Sequence, residues 1–206
     1  MNTNVLKRFI IYMAILTFVM FTVWALVRSF MNRPPGDYET EVCDIRLKDK
    51  KYDEAIKAAN LALEKTPNHR GAIMCKALVF ISEKKYKEAS VELDYLINFL
   101  EKDLQEDDKT GKGTLAAAYA NRGIIKDRSE DYKGALKDYV KALGIDHESV
   151  AGPGLGTIIL NYKFKSSSVK ERALYLNEQL QLPENERILK IEELDEGQVM
   201  HKPGKL

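Results

Sequence analysis

The sequence has few of the residues on which metal centres, disulfide-rich folds and most catalytic sites depend. Among 206 residues there are 2 cysteines and 3 histidines. Two cysteines exclude a framework of several disulfides, and His69, His147 and His201 lie far apart along the chain. No Ser/His/Asp, Cys/His or paired-carboxylate arrangement stands out. The sequence therefore predicts no enzyme activity, no metal, no cofactor and no small-molecule substrate.

The chain also lacks a strong excess of charge of either sign. It has 32 Lys and Arg residues against 31 Asp and Glu residues, a net charge of +1, whereas nucleic-acid binding usually requires a strongly basic domain or stripe. Residues 1–33 hold four of the cations and no acid, so 28 cations face 31 acids in the rest of the chain. We therefore expect no nucleic-acid partner for this mildly acidic larger part.

What the sequence does have is one long apolar run near its N-terminus. Phe9 to Val27 are 19 residues without a charge, and as a helix they would be roughly 28 Å long, close to the roughly 30 Å hydrocarbon core of a bilayer. Cations flank the run on both sides. The pattern predicts a single transmembrane helix that contacts the lipid bilayer through Phe9, Tyr12, Phe18, Phe21 and Trp24.

A cleaved signal peptide and a buried soluble helix are the alternative interpretations of this run. Signal-peptide cores span roughly 7–15 residues and end at a small-x-small site, whereas this run is longer and ends with the sequence WALVR. Its apolar circumference also argues against a soluble helix. We therefore favour a retained anchor.

The orientation of the anchor depends on the few cations around it. A short N-terminal tail bearing Lys7 and Arg8 commonly stays in the cytoplasm, although Arg28 and Arg33 make the count on the two sides nearly even. We expect a single-pass protein of the bacterial inner membrane whose C-terminal domain faces the periplasm.

A short Pro/Gly segment separates the apolar run from the rest of the chain. Pro34 and Pro35 lack the backbone donors that a continuing helix needs, and Gly36 allows a turn. We expect three parts: an anchor over residues 1–33, a helical repeat domain over 34–183, and a C-terminal tail over 184–206 with a short helix near its start.

Three segments after this boundary are similar to one another, at residues 50–68, 84–102 and 130–148. Tyr52 and Tyr86 are 34 residues apart, and Tyr86 and Tyr132 are 46 apart, which is the same period with a 12-residue insertion. A fixed period of 34 residues, with apolar residues at helical offsets, is typical of stacked helical hairpins.

These segments resemble the tetratricopeptide repeat family. The residues that carry the resemblance are Tyr52, Ala55, Ala62, Pro67, Tyr86, Ala89, Leu96, Tyr119, Gly123, Tyr132, Ala135 and Ala142. The chain departs from the family pattern at Glu39 and Cys43, and its second and third repeats lack the closing proline. The resemblance implies an all-α fold in which antiparallel helix pairs stack into a right-handed solenoid with a concave groove. It also implies a binding function without catalysis.

The repeats would cover residues 36–69, 70–103 and 116–149. A degenerate fourth unit that caps the array would follow, with its first helix within 150–162 and its second over 168–181. Ser168, with Glu171 three residues further on, predicts a capping box at the start of that second helix.

The resemblance also assigns side chains to the groove. They are Met74, Leu78, Ile81, Ile124, Asp127 and Arg128, of which the first four would form an apolar floor. Such a floor suits an apolar helix or an extended peptide. Alternatively, the chain's own stretch from Ile188 to Leu194 covers it, since an exposed apolar patch is a solubility liability. Binding of a foreign ligand predicts that Leu78→Asp abolishes partner capture while the domain stays folded.

Two further features have structural interpretations. Residues 101–114 form a charged, glycine-containing insertion that we expect to be a solvated loop, since it matches neither a calcium loop nor a phosphate loop. Cys43 and Cys75 lie on successive first helices of the predicted repeats. A disulfide there fits an oxidising compartment, but two cysteines packed between helices without a bond are the commoner arrangement.

The function expected from these features is that of a membrane-anchored adaptor or scaffold that helps to assemble or stabilise a larger membrane protein complex. Its partners would be membrane or membrane-associated proteins, bound through the groove and the transmembrane helix. A permanent accessory subunit of such a complex, and a receptor for precursor proteins, are the alternatives.

Overall fold

The structure is a computed structural model that describes residues 3–31, 33–150, 168–191, 198 and 200–202. All regular secondary structure within these residues is helical, which confirms the expected all-α class. The first helix predicted for a fourth repeat, within residues 150–162, lies outside the described residues from residue 151 onward. The helices are α1 Thr3–Met31, α2 Asp37–Lys48, α3 Tyr52–Lys65, α4 Arg70–Ser82, α5 Tyr86–Asp103, α6 Lys109–Arg128, α7 Tyr132–Ile145, α8 His147–Val150 and α9 Val169–Gln181, with a 3₁₀ turn at Glu184–Glu186.

Helix α1 is long enough and apolar enough to cross a membrane, and its apolar window is not buried against the rest of the chain. The five aromatic residues singled out above are all more than half exposed. Two of its threonines are satisfied within the helix, because the hydroxyl of Thr17 donates to the carbonyl of Met13 and that of Thr22 to the carbonyl of Val19. A signal sequence near an N-terminus shares this length and composition.

The described chain after α1 is built mainly from helical hairpins with one recurring turn. Helix α2 pairs with α3, α4 with α5, and α6 with α7. In each turn one residue before the second helix has a left-handed backbone, with φ of +59° at Lys50, +59° at Lys84 and +66° at Glu130. The next amide closes on the carbonyl five residues earlier, as from Lys51 to Arg46 at 2.8 Å, which is a Schellman closure. The same turn at matching positions gives the fold its repeat-like character.

Successive hairpins contact each other through their first helices. Helix α4 lies against both α2 and α6, and it also contacts α3 from the preceding hairpin, while α9 packs on α7. Small residues permit this close packing. A Cβ atom at Gly123 of α6 would lie 2.6 Å from the ring of Tyr139 on α7, so the ring occupies space that any larger residue would need.

A network of ion pairs joins the second and third hairpins. Arg122 of α6 donates two hydrogen bonds of 2.8 Å to Asp138 of α7 and one of 2.6 Å to Asp94 of α5. Lys126 lies 2.8 Å from the same Asp138 carboxylate. Hydrogen bonding to Asp138 raises the pKa of the Arg122 guanidinium, and Asp94 adds to the shift. The network fixes three helices in relation to one another.

The insertion before the third hairpin is helical rather than a loop, so the prediction for residues 101–114 is wrong for most of them. Helix α5 has 18 residues and α6 has 20, against 14 in α3 and 12 in α2. Asp108 explains the early start of α6, because its carboxylate accepts from the amide of Gly111 at 2.7 Å and pairs with Arg70. These contacts, first the Gly111 amide and then Arg70, lower the pKa of Asp108. The N-cap Asp108 and its ion pair with Arg70, 38 residues away, therefore stabilise extra helical turns in the insertion.

The first hairpin has a small core of its own and is joined to the second by a disulfide. Cys43 of α2 and Cys75 of α4 are bonded to each other and fully buried, within a cluster that includes alanines of α3 and Val79. Of the two arrangements that the sequence left open, the structure has the bonded one. Helix α2 buries only Thr40 and Cys43, so it has little apolar surface with which to hold its place, and the covalent bond supplies that constraint.

The predicted capping box at the start of α9 is confirmed. The hydroxyl of Ser168 accepts from the amide of Glu171 at 3.2 Å, and the carboxylate of Glu171 accepts from the amide of Ser168 at 3.1 Å. Both amides would otherwise lack intrahelical partners. The helix buries Arg172 and Leu176 on the side that faces the third hairpin.

Candidate groove and its occupant

The six residues that the sequence assigned to a groove lie on two neighbouring helices. Three of them are on α4 and three on α6, and these helices contact each other. The four apolar side chains of the predicted floor are at most 4% exposed and belong to the main apolar core. Asp127 is also buried, whereas Arg128 is half-buried. The four apolar side chains therefore lie in one core on two contacting helices, where they are covered.

Residues near the C-terminus cover this floor. We call Gln198, Met200, His201 and Lys202 the tail segment. Gln198 and His201 are each 8% exposed. Met200 packs against the main apolar core, and its sulfur lies 4.0 Å from the hydroxyl of Ser82 at the end of α4. The chain's own C-terminal residues thus occupy the candidate groove.

The described contacts also include residues further along the chain than the stretch proposed from the sequence. Ile188 is 64% exposed, and Leu189 packs against the core. Leu194 lies outside the described residues. The sequence identified the correct end of the chain because of its scattered apolar residues, but contacts made by polar side chains and backbone carry no periodic signal.

Asn121 of α6 holds the backbone of the tail segment. Its side-chain nitrogen donates to the carbonyl of His201 at 2.7 Å, and its side-chain oxygen accepts from the amide of His201 at 2.8 Å. Asn121 is fully buried. The paired hydrogen bonds satisfy both backbone groups of one residue, so this contact recognises a peptide backbone whatever the side chain.

A buried polar cluster lies beside this contact. Arg172 of α9 donates to both oxygens of Asp127, each at 2.7 Å, and Tyr139 donates to Asp127 at 3.1 Å. The amide of Gln198 donates to Asp127 at 3.0 Å and to the oxygen of Tyr139 at 3.1 Å. Burial, followed by the nearby Asp127 carboxylate, raises the pKa of Tyr139 well above its usual value. The cluster ties α6, α7 and α9 to the tail segment.

The other end of the tail segment reaches the first hairpin. Lys202 pairs with Asp44 of α2, and both side chains are partly exposed. Two other polar residues of α2 serve a different contact, because Asp37 and Thr40 lie within hydrogen-bonding distance of His69. Asp44 is therefore the acid of α2 that meets the tail segment.

The imidazole of His201 is buried, and within the described part of the chain no ionic partner favours its charged form. Burial lowers the pKa of His201 to about 4, because an apolar environment disfavours the imidazolium ion. His201 is therefore neutral in the groove near neutral pH. A buried neutral histidine with no charge partner adds little attraction of its own, and the backbone contacts of Asn121 hold this residue.

In comparison with known proteins, no protein-family model and no curated protein matches the chain. The geometry alone therefore indicates the chemistry. Among the described residues no group of three or more His, Cys, Asp or Glu side chains lies together in a way that could hold a metal ion. What the groove offers is an apolar floor, a backbone clamp and an acid at each end, which suits the recognition of an extended polypeptide.

Sequence reasoning missed the residues that make the groove specific. Asn121, Tyr139 and Arg172 are buried on three different helices, and each was either unmentioned or read as core. The available signal was the placement of Asn121 and Arg172 on the apolar faces of α6 and α9, where a polar side chain requires a partner. That signal does not identify the group to which each polar side chain is hydrogen-bonded.

Proposed function

We propose that the chain is a membrane-anchored adaptor of the tetratricopeptide repeat type, whose groove binds an extended segment of a membrane or membrane-associated protein during assembly or stabilisation of a larger complex. Helix α1 is the anchor, and the hairpins form the binding domain.

The recurring hairpin supports the repeat assignment. The left-handed turn residues Lys50 and Lys84 are 34 residues apart, which is the period of the sequence repeat. Successive hairpins contact each other through their first helices, as expected of a solenoid. We infer a right-handed solenoid whose first helices line the groove.

The disulfide supports an outward-facing domain. Bonds between cysteines persist in oxidising compartments such as the bacterial periplasm and are rare in the cytosol. The Cys43–Cys75 bond is buried between α2 and α4 and therefore favours an inner-membrane protein with its C-terminal domain in the periplasm. The same observation disfavours a cytosol-facing receptor for precursor proteins.

The observation that carries the adaptor function is the clamp between Asn121 and the backbone of His201. It supports peptide binding because the groove already holds an extended segment by contacts that do not depend on the side chain. Anchoring such a groove to a membrane would raise its effective concentration near membrane partners.

The test is site-specific photo-crosslinking of the full-length chain in native membranes. A photoreactive amino acid replaces Arg128, the half-buried residue at the edge of the groove, and in the control it replaces Val91, which is 67% exposed on α5. We expect a discrete partner to crosslink at position 128 and not at position 91, with identification by mass spectrometry after gentle detergent extraction.

The composition of the captured complex distinguishes the two membrane roles. Partial assemblies bound to the chain would indicate an assembly factor, and a stoichiometric mature complex would indicate an accessory subunit. Absence of any groove-dependent crosslink, in membranes where the chain is folded and abundant, would overturn the proposal. Protease protection in sealed vesicles tests the orientation separately.

A further inference from the structure

The tail segment is held by contacts that a separate peptide can reproduce. Asn121 binds backbone atoms of His201, Asp127 and Tyr139 accept from one side-chain amide, and Asp44 accepts a cation. All of these receiving groups belong to helices rather than to the tail. The groove therefore provides a complete set of subsites for a short extended chain.

The tail segment contributes little to the core beneath it. Met200 is the apolar residue of the tail segment, and it packs partly buried against the main apolar core. The core itself is made by residues of α4 to α9. The contacts between these helices do not depend on the tail segment, and its departure uncovers the floor for another ligand.

The tail segment also fits its subsites imperfectly. The imidazole of His201 is buried, and no ion pair reaches it from the residues that the structure describes. Within the described residues, the side-chain oxygen of Gln198 and one carboxylate oxygen of Asp44 are buried without a hydrogen-bond donor. Burying polar groups in this way weakens binding. A ligand with an apolar side chain in the place of His201 avoids the first of these penalties.

We propose that the tail segment is an internal pseudoligand, and that the partner of the proposed adaptor displaces it with an extended peptide in which an apolar residue occupies the His201 subsite and is followed by a lysine or arginine. The proposal rests on the proposed function and adds the partner's chemistry and an autoinhibitory step. The cation is specified by Asp44, and the apolar residue by the enclosed subsite of His201.

The experiment measures binding of fluorescent peptides to the chain in lipid nanodiscs by anisotropy. The receptors are the full-length chain and a chain ending after Ile191. The peptides have the sequence of residues 196–206 and its His201→Leu and Lys202→Glu variants. We expect the shortened chain to bind the native peptide, the His201→Leu peptide at least tenfold more tightly, and the Lys202→Glu peptide at least tenfold more weakly. The full-length chain should bind each peptide at least tenfold more weakly than the shortened chain does.

Two variants make the result specific. Asp44→Lys in the shortened chain should restore binding of the Lys202→Glu peptide, since it reverses the ion pair. Full-length Lys202→Glu keeps the entire chain and should bind the His201→Leu peptide at least tenfold more tightly than the full-length native chain, even if the shortened chain does not fold. Equal binding by these two full-length chains, or no binding by a folded shortened chain, overturns the proposal.

The outcome is separable from that of the proposed function. If the peptides do not bind but position 128 still crosslinks to a partner, the tail segment is a permanent part of the fold and the adaptor function stands. If the peptides bind as expected but native membranes give no groove-dependent partner, the exchange of the tail segment is real and the adaptor function is overturned.

Discussion

Helices α1 and α4 are both apolar around most of their circumference, yet α4 is buried by other helices and α1 is not. Helix α4 is contacted by α2, α3, α5 and α6, and Ile73, Met74 and Ile81 are among its nearly fully buried residues. The apolar window of α1 is not buried at all. The contrast teaches that an all-apolar helix has to leave water, while its composition does not say whether protein or lipid will cover it.

The largest expected effect is on α4. Leu78→Asp places a carboxylate at a position 4% exposed in the main core, so we expect the free energy of unfolding to fall by about 4 kcal/mol or more. Its burial also means that this substitution tests folding, whereas the sequence alone suggested a folded domain that had lost its partner. Urea unfolding of the chain in detergent micelles measures the change.

The matched control is Val91→Asp on α5, where the side chain is 67% exposed. We expect that variant to change the free energy of unfolding by less than about 0.5 kcal/mol. Similar losses at the two positions would contradict the assignment of α4 to the core.

The second expected effect concerns the covalent link that α4 makes to α2. Replacing both Cys43 and Cys75 by alanine opens a crosslink with a sequence separation of 32 residues, and we expect a loss of about 3 kcal/mol. Unfolding is followed with and without reductant. The reductant should destabilise the native chain and leave the double variant unchanged. A native chain that is equally stable under both conditions would show that the bond does not form.

The third expected effect is on α1. Val19→Arg introduces a charge in the middle of the apolar helix, which costs about 3 kcal/mol for insertion into a bilayer. We expect more of the chain in the soluble fraction after alkaline extraction of membranes, with no change in the unfolding of the hairpins. The control is Val5→Arg, which lies outside the uncharged run and beside existing cations. If Val19→Arg destabilises the hairpins instead, then α1 is covered by protein, as α4 is, and not by lipid.

The fourth expected effect is that the docking of the tail segment in the groove depends on pH. The pKa of His201 falls from 6.5 to about 4 on burial, so the docked state binds fewer protons than the released state. Docking is therefore fully stable above pH 6.5 and weakens as the pH falls towards 4. At pH 5 we expect a loss of about 2 kcal/mol.

The readout is the carbon-13 methyl signal of Met200, whose released fraction should rise between pH 7.5 and pH 5. In the His201→Leu variant the released fraction should change far less. An equal response in both chains would assign the pH dependence to another group.

The smallest expected effect is at the turn that follows α4. Lys84 has a φ of +59°, which a side chain disfavours and glycine accepts, so Lys84→Gly should raise the free energy of unfolding by about 0.5–1 kcal/mol. The neighbouring Lys85 has a φ of −83°, and Lys85→Gly should give no such gain. A gain at both positions would mean that the backbone strain is not the cause.

The hairpins were the most predictable part of this protein. The tyrosines that begin the second helix of each hairpin and the alanines one turn later recur at a fixed period, and such patterns depend on residues a few positions apart. The capping box of Ser168 and Glu171 was predictable for the same reason. The helical form of residues 109–114 was not, because it depends on Arg70 from another hairpin.

The candidate site also has one part that could be predicted from the sequence and one part that could not. Its apolar floor was assigned through the family resemblance, which gives those side chains by their positions within each repeat. Asn121 could not be assigned, since its partner His201 is 80 residues away, and no local pattern links an amide side chain to a distant backbone.

The amino-acid order alone therefore specifies the apolar N-terminal helix, the period of the hairpins and their buried faces, because these follow from short-range spacing and from hydrophobicity. The folded chain decides that Cys43 and Cys75 bond, that Asp108 starts α6 early, and that the tail segment fills the groove. Each of these depends on which residues meet after the helices have packed, and a pairing between distant residues is a property of the three-dimensional arrangement.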